Sequence, residues 1–266
     1  MASSSLLPCL TVFFCVISIL APLTAGQLDY SYYDRACPVL PRIIRWNVWS
    51  ALRNDSRIAA SLLRLHFHDC FVNSGGPFWP VLLGRRDGLT ASEKAANDQL
   101  PSPFEPLDKI AAKFTDKGLD LRDVVVLSGA HTIGFAQCFT FKRRLFNYQD
   151  SGKPDPILDS SMLSNLQSTC PEEGPNTKIT PLDIQSVTRF DNAYYRNLMI
   201  NTGLLESDQA LMSNSETADM VKSYSLYPYL FFQDFAASMV KLGNVGVLTG
   251  ETGQIRKVCG SVNYYY

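Results

Sequence analysis

Apolar side chains recur every three or four residues along much of this chain, the spacing that places them on one face of an α-helix. Two consecutive helices are predicted before residue 70: one opens at Pro41, and Asp55 and Ser56 cap the next. The apolar positions are Ile44, Val48, Ala51 and Leu52 in the first, and Ile58, Leu62 and Leu65 in the second, which runs toward Cys70.

Three more helices follow from the same pattern. Gly118 ends the first of them as a C-cap, Asp120 caps an apolar run toward His131, and the last helix stops at Gly243. The apolar stripes are Leu107, Ile110, Ala111 and Phe114 before Gly118, and Phe232, Phe235, Ala236, Met239 and Val240 before Gly243. Strand-like alternation is scarce, and no linker is long enough to separate domains. The fold class predicted is all-α, that is, mainly helical.

The N-terminal segment differs from the rest. Residues 10–21 form an unbroken apolar run that is too short to span a membrane, and small residues precede Gln27. We therefore predict a signal peptide over residues 1–26 and one domain over 27–266, with a membrane anchor as the weaker alternative. A secreted protein in an oxidising compartment is expected.

Composition narrows the function. The chain has 266 residues, a net charge of −1, 46% hydrophobic and 18% charged residues, which is typical of a soluble globular protein and excludes disorder, collagen and coiled coil. The absence of a basic excess argues against nucleic-acid binding. Small-molecule chemistry is the expectation, with no membrane partner.

Cysteines give an odd count. Of the 7 cysteines, Cys9 and Cys15 would leave with the signal peptide. The five that remain cannot all pair within the chain.

A short helix around residues 64–71 carries a cation and an imidazole on one face. Arg64, Phe67, His68 and Phe71 lie at i, i+3, i+4 and i+7. A base that takes a proton and a fixed positive charge that stabilises an anion suit acid–base chemistry. Two alternatives stay open. In one, Arg64 and His68 pair with carboxylates on a packed helix. In the other, His66, His68, Asp69 and Cys70 are candidate ligands of zinc, of which at most two reach one ion.

His131 follows the apolar run 124–127. Small neighbours at Ser128, Gly129 and Ala130 predict room for a flat cofactor beside the imidazole, and one histidine as sole protein ligand suggests haem iron more than zinc. A histidine packed in the core is the alternative.

Several segments together resemble one family, the class III secretory plant peroxidases, which are haem peroxidases. The resemblance runs from Gln27 to about Asn263 in the family's order. The segments are RLHFHDCFVN at 64–73, LGRRDGLTAS at 83–92, LPSPF at 100–104, DVVVLSGAHTIG at 123–134, FDNAYYRNL at 190–198 and Leu205 to Gln209.

The resemblance implies a role for each matching residue. His131 matches the axial ligand of haem b, and Asp208 the carboxylate that accepts its other ring N–H. His68 matches the acid–base residue that moves the proton of hydrogen peroxide, and Arg64 the cation that stabilises charge during O–O cleavage. Phe67 matches the aromatic at the haem edge, and Pro101 the binding site of phenolic donors. A monomer is expected.

Calcium sites are also implied. Six positions match the proximal site, of which Arg189 contributes its carbonyl. The distal site begins with Asp69 and Val72 and is incomplete, because the family's next ligands are missing. The proximal positions are Thr132, Asp183, Ser186, Thr188, Arg189 and Asp191.

The missing ligands belong to a larger departure from the family. After Asn73 the sequence continues at Ser74 with a segment that lies several tens of residues further on in the family, beyond two more helices. The resemblance then implies that Cys37, Cys70 and Cys259 have lost their partners, whereas Cys138 and Cys170 form a complete pair. We expect a chain of low stability. An alternatively spliced or mispredicted transcript is the hypothesis for the gene, and Asn54 begins an N-glycosylation sequon.

Overall fold

The structure is a computed structural model that describes residues 28–64, 77–258 and 260–263. These residues belong to two compact units. The first unit contains residues 28–38, 82–91 and the described residues from 247 onward, and the second contains 39–64, 77–81 and 92–246. The predicted signal peptide lies outside the described residues.

Helices make up most of the second unit, so the prediction of a mainly α-helical protein is confirmed. The α-helices of the described residues are α1 (Leu40–Asn54), α2 (Ile58–Arg64), α3 (Glu93–Gln99), α4 (Leu107–Thr115), α5 (Leu121–Ser128), α6 (Lys142–Phe146), α7 (Ser160–Thr169), α8 (Ala193–Met199), α9 (Glu206–Gln209), α10 (Ser215–Leu226) and α11 (Pro228–Gly243). Short 3-10 turns lie at Gly129–Thr132, Cys138–Thr140, Tyr148–Asp150 and Ala210–Met212.

Local chemistry explains where several helices begin and end. Pro41 lies in the first turn of α1, where its missing N–H costs nothing. The side chain of Asp120 accepts a hydrogen bond from the backbone N–H of Asp123 at the start of α5. The side chain of Asp123 accepts one from the backbone N–H of Asp120, which completes a capping box. Beyond α4, Gly118 adopts φ +76°. The N–H of Leu119 reaches the carbonyl of Phe114, which makes a Schellman ending.

A two-stranded antiparallel sheet is formed by β1 (Phe135–Gln137) and β2 (Ile179–Pro181). Ala136 lies opposite Thr180 in its register. The sheet follows the turn that carries His131 and brings residues 179–181 beside it in space.

The main core of the second unit lies between α5, α8, α10 and α11. Val124, Val125 and Val126 are each 0% exposed and pack with aromatic rings that include Tyr195 and Phe231. Burying three consecutive valines fixes the end of α5, and so the position of the next residues along the chain.

A second apolar cluster surrounds a disulfide. Cys138 and Cys170, the pair that the resemblance implies, are joined with Cα atoms 5.7 Å apart. Phe141 and Leu145 pack around it. Cys37 is free, and Cys70 and Cys259 lie outside the described residues.

The first unit is held by isolated backbone bridges between Asp29 and Leu83, Arg86 and Leu248, and Asp87 and Gln254. No helix described here is long and apolar enough to cross a membrane.

Helix α1 leaves apolar side chains exposed although its sequence predicts a buried face. None of its residues is buried, and Trp46 is 64% exposed. Its indole ring lies 5.2 Å from that of Trp49. A helix with an apolar face normally buries that face against the rest of its domain. The apolar face of α1 is not packed in this way.

Candidate active site

His131 lies in the 3-10 turn Gly129–Thr132 directly after α5. The buried valines of α5 anchor this turn on one side. The hydroxyl of Tyr195 donates to the carbonyl oxygens of Val125 and Val126 at 3.1 and 3.3 Å. The histidine is therefore held by a rigid support rather than by a loop, which a metal ligand requires.

A carboxylate fixes one nitrogen of the His131 ring. Nδ1 of His131 lies 2.8 Å from Oδ1 of Asp208, which comes from α9, 77 positions further along the chain. Asp208 is 2% exposed. Its two oxygens also accept from the Tyr194 hydroxyl at 3.0 Å and from the Leu205 N–H at 3.3 Å.

The surroundings of Asp208 shift the pKa of both the His131 imidazole and the Tyr194 phenol. Loss of hydration on the protein-facing side of the ring disfavours the charged imidazole, but the charge of Asp208 and its hydrogen bond outweigh that effect and raise the pKa of His131. Burial, together with the charge of Asp208, raises the pKa of Tyr194 well above its usual value. Tyr194 therefore stays a neutral donor to Asp208.

The other nitrogen of His131 is available to a ligand. The imidazole side chain is 37% exposed, and Nε2 makes no hydrogen bond to any described residue. A ring with Nδ1–H held by a carboxylate presents the lone pair of Nε2 outward, which is the arrangement of a metal-ligating histidine.

The predicted role of small neighbours beside the imidazole does not extend to Gly129. Gly129 does not make room for a flat cofactor, because a side chain there would point into the core. An added Cβ would lie 2.7 Å from Cε2 of Phe231 and would also clash with the hydroxyl of Tyr195. Glycine at 129 is explained by close packing of α5 against α8 and α11.

The proline-rich loop 100–106 is attached to the turn that carries Asp208. The Ser207 N–H donates to the Pro103 carbonyl at 3.2 Å. Arg143 donates to Glu206 at 2.7 Å and to the carbonyl of Phe104 at 2.8 Å. Pro101, the predicted residue of the donor site, lies exposed on this loop.

Arg144 supports the chain just before Asp208. It is 1% exposed and pairs with Asp155 at 2.8 Å. Its Nη1 also donates to the carbonyls of Gly203 and Leu204 at 2.6 and 2.8 Å. The path of the segment that leads into α9 is thus set by a buried cation.

Four oxygen-bearing side chains meet beside the His131 turn. The hydroxyl of Thr132 lies 3.5 Å from Oδ2 of Asp183 and 3.4 Å from Oδ1 of Asp191. The hydroxyl of Ser186 lies 3.3 and 3.1 Å from the same two oxygens. Asp183 is 1% exposed.

The four oxygen–oxygen contacts of this cluster have too few hydroxyl hydrogens to be hydrogen bonds all at once. Each hydroxyl has one hydrogen and faces two carboxylate oxygens, so two of the four contacts have no donor. Two converging carboxylates with hydroxyls form the hard oxygen set that suits calcium. Among the described residues no group combines three or more His, Cys, Asp or Glu side chains that could hold a metal ion.

The remaining proximal positions lie at the edge of this cluster. Thr188 is exposed and makes no hydrogen bond to the other described members. The Arg189 side chain is 78% exposed, with Nε 3.8 Å from Oδ2 of Asp191. Asn197 donates to Asp183 at 3.0 Å.

The distal candidates are placed only in part. The structure describes the backbone of Arg64 as the last residue of α2. Phe67, His68, Asp69 and Val72 lie outside the described residues, as do His66 and Cys70 of the zinc alternative. The described half of the site is therefore the half around His131.

Sequence reasoning missed several residues of this half, namely Tyr194, Asn197, Arg143 and Arg144. Tyr194 and Asn197 fall within the segment 190–198, but no periodicity or motif chemistry indicates that they bind Asp208 and Asp183. Only a three-dimensional arrangement brings them there.

Comparisons with known proteins agree on one family. A family model described as Peroxidase matches residues 72–226. The chain is 50% identical to Peroxidase 10 of Arabidopsis thaliana, over 88% of this chain and 86% of the relative. It is 40% identical to Peroxidase N of Armoracia rusticana over 96% of both chains, and 39% identical to the lignin-forming anionic peroxidase of Nicotiana tabacum over 90% and 94%.

Proposed function

Because the chain belongs to the peroxidase family and is an oxidoreductase of that class, we propose that it binds haem b through His131 and uses hydrogen peroxide to oxidise phenolic donors. One observation carries this proposal. His131 is held through Nδ1 by the buried Asp208 at 2.8 Å, and its Nε2 is left for a metal.

The residues present fit the group. Asp208 accepts a hydrogen bond from the Nδ1–H of His131, which makes the imidazole a stronger electron donor and favours oxidised iron. Haem, when bound, supplies an iron centre at which peroxide is cleaved and from which donors are oxidised one electron at a time. Proton transfer, charge stabilisation and donor binding are carried out by side chains of the protein.

On the opposite side, the roles rest on the resemblance. His68 takes a proton from hydrogen peroxide and returns it to the departing oxygen, and Arg64 stabilises the developing charge. Phe67 screens the cofactor edge, and the exposed Pro101 contacts the phenol. The attachment of its loop to Ser207 supports a donor site beside the Asp208 turn.

Calcium is the second ligand of the proposal. Thr132, Asp183, Ser186 and Asp191 hold the ion, with Thr188 and the carbonyl oxygen of Arg189 at the edge. The shortage of protons in the cluster supports a cation there. Since Thr132 follows His131 directly, calcium at this position would fix the ligand turn. A distal ion at Asp69 and Val72 lacks its remaining ligands.

Calcium removal tests this site. A chelator is expected to lower the midpoint of thermal unfolding of the wild type, because an ion that binds only the folded state stabilises it. The shift should shrink in Asp183→Asn and persist in Asp219→Asn, an exposed aspartate of α10. Equal shifts in both variants would contradict the assignment.

A second candidate function is a family variant with weak or no catalysis. The alignment with the Arabidopsis relative spans 302 positions, whereas 88% of 266 residues is about 234, so about 68 positions of the relative have no partner here. The exposed face of α1 and the free Cys37 also support a missing block after Asn73. The zinc hydrolase gains no support from any of these relatives.

The deciding experiment is an absorption spectrum of the haem-reconstituted chain, followed by peroxide-dependent oxidation of a simple phenol. The proposal expects a Soret band that is lost in His131→Ala, altered in Asp208→Asn and unchanged in Asp219→Asn. Turnover assigns the full activity. A His131-dependent band without turnover assigns the weak variant, and a band that ignores His131 refutes the site.

Secretion to the apoplast or cell wall as a monomer completes the proposal. The apolar run within residues 1–26 supports it. The protein collected from the medium of expressing plant cells is expected to begin at Gln27 and to run as a monomer in sedimentation. Retention inside the cell with Met1 intact would contradict this.

A further inference from the structure

One oxygen atom of Asp208 receives two donors. Oδ1 lies 2.8 Å from Nδ1 of His131 and 3.0 Å from the hydroxyl of Tyr194. Tyr194 is 3% exposed, so no water competes for its hydroxyl from bulk solvent. The phenol and the imidazole therefore share a single acceptor.

Resting on the proposed ligation of haem by His131, we propose that Tyr194 is a positioning residue that limits how strongly Asp208 polarises the His131 ring. The tyrosine touches neither cofactor nor substrate in this role. It acts through the carboxylate.

The physical reason is the sharing of charge at an acceptor. A hydrogen bond to an ionised carboxylate draws electron density toward its donor. Each bond that Tyr194 makes to Oδ1 leaves less negative charge to pull the Nδ1 proton of His131. Without the hydroxyl, the Asp208–His131 bond tightens and the imidazole gains anionic character. An anionic ligand stabilises ferric over ferrous iron.

The position of the hydroxyl is fixed by its helix. Tyr194 lies in α8, and its ring packs edge-on against Tyr195 at 5.0 Å between centroids and against His131 at 6.2 Å. A ring held on two sides cannot turn its hydroxyl away. The effect on Asp208 is thus a permanent property of the fold.

The adjacent tyrosine provides a matched control. Tyr195 lies in the same helix and is 0% exposed, and its hydroxyl also makes hydrogen bonds. Its acceptors are the carbonyls of Val125 and Val126 rather than Asp208. Tyr195→Phe therefore removes a buried hydroxyl from the same environment without changing the donors on Asp208.

The test measures the ferric–ferrous midpoint potential and the iron–histidine stretching frequency of the haem-loaded protein. Tyr194→Phe is expected to favour ferric iron about tenfold, which lowers the potential by about 59 mV for one electron, and to raise the frequency. Tyr195→Phe loosens a contact of α5 but leaves the donors on Asp208 in place, so it should produce neither the lower potential nor the higher frequency. In an Asp208→Asn background, Tyr194→Phe should add no further shift.

Two outcomes separate this inference from the proposed function. If the wild-type spectrum does not depend on His131, the ligation itself fails. If it does, but Tyr194→Phe matches Tyr195→Phe in potential and frequency, the inference alone is overturned. Should Tyr194→Phe not fold, a fluorinated tyrosine at 194 keeps the ring and strengthens the donor. The potential must then rise, and an unchanged or lower value overturns the inference.

Discussion

Arg144 is a charged side chain enclosed by protein, with an exposed fraction of 1%. Burying a guanidinium is unfavourable unless its charge is paired and its N–H groups donate hydrogen bonds. Here Asp155 pairs with the charge and accepts from Nε, and backbone carbonyls accept from Nη1, so the residue ties α6 to the segment that precedes Asp208. At the residue scale, the geometry of the His131–Asp208 pair therefore depends on a cation that touches neither residue.

We predict that Arg144→Met lowers the free energy of unfolding by about 3 to 5 kcal/mol, because Asp155 is left as an uncompensated buried charge. Urea unfolding followed by circular dichroism measures the change. The control is Arg122→Met, whose side chain is 58% exposed and pairs with Asp234 at 3.3 Å. That variant should lose no more than about 1 kcal/mol. A similar loss in both variants would show that burial of the Arg144 pair is not the cause.

At the scale of elements, the loop 100–106 behaves as a clamped segment rather than a free connection. Lys113 of α4 donates to Glu105 at 2.7 Å and to the carbonyl of Leu100 at 2.8 Å. Glu105 in turn accepts from the N–H of Ser102 at 3.0 Å. The hydrogen bond from Lys113, followed by that from Ser102, lowers the pKa of Glu105 below its ordinary value of 4.5.

The sign of the pH effect follows from that lowered pKa. The ionised Glu105 stabilises the fold above about pH 4.5, and this contribution is lost as the pH falls through the lower pKa of the folded state. Glu105→Gln should therefore cost about 1 kcal/mol at neutral pH and nothing at the acid end. Unfolding measured between pH 3 and 7 tests it. Lys113→Met should flatten the profile in part, because the Ser102 N–H still binds Glu105, and the double variant should lose less than the sum of the two single changes. Full additivity would argue against the pair.

Element boundaries are predictable from sequence where local chemistry sets them. Asp120 and Gly118 act through their own backbone neighbours, and both predictions are confirmed. The strands β1 and β2 could not be predicted, because three residues show no periodicity and their pairing is a tertiary contact. In the site, His131 is a candidate from its own segment. Asp208 follows only from the resemblance, and Tyr194 from neither.

At the scale of the whole molecule, the exposed α1 and the unpartnered Cys37 point to the same cause. The block of about 68 positions that we propose to be missing after Asn73 would account for an apolar face without cover. We predict that insertion of the corresponding residues of the Arabidopsis relative between Asn73 and Ser74 raises the thermal midpoint of unfolding by at least about 10 °C, since a lost disulfide alone costs about 2 to 5 kcal/mol.

Calorimetry of the two proteins under non-reducing conditions measures this difference. As a control, the same number of Gly and Ser residues is inserted at the same junction, which lengthens the chain without covering α1. An equal midpoint for the native chain and the one with the restored block would mean that the chain is stable by itself and that the exposed face of α1 is its mature surface.

The three tryptophans of the chain differ in their surroundings, and this makes the protein its own optical reporter. Trp79 is 6% exposed, with its ring 5.8 Å from Phe235, so its emission is blue-shifted and shielded while the core is intact. Trp46 emits at longer wavelength and is reached by iodide before and after unfolding. The blue-shifted part of the iodide-resistant emission therefore reports the surroundings of Trp79, and a cofactor bound at His131 would dim it by energy transfer.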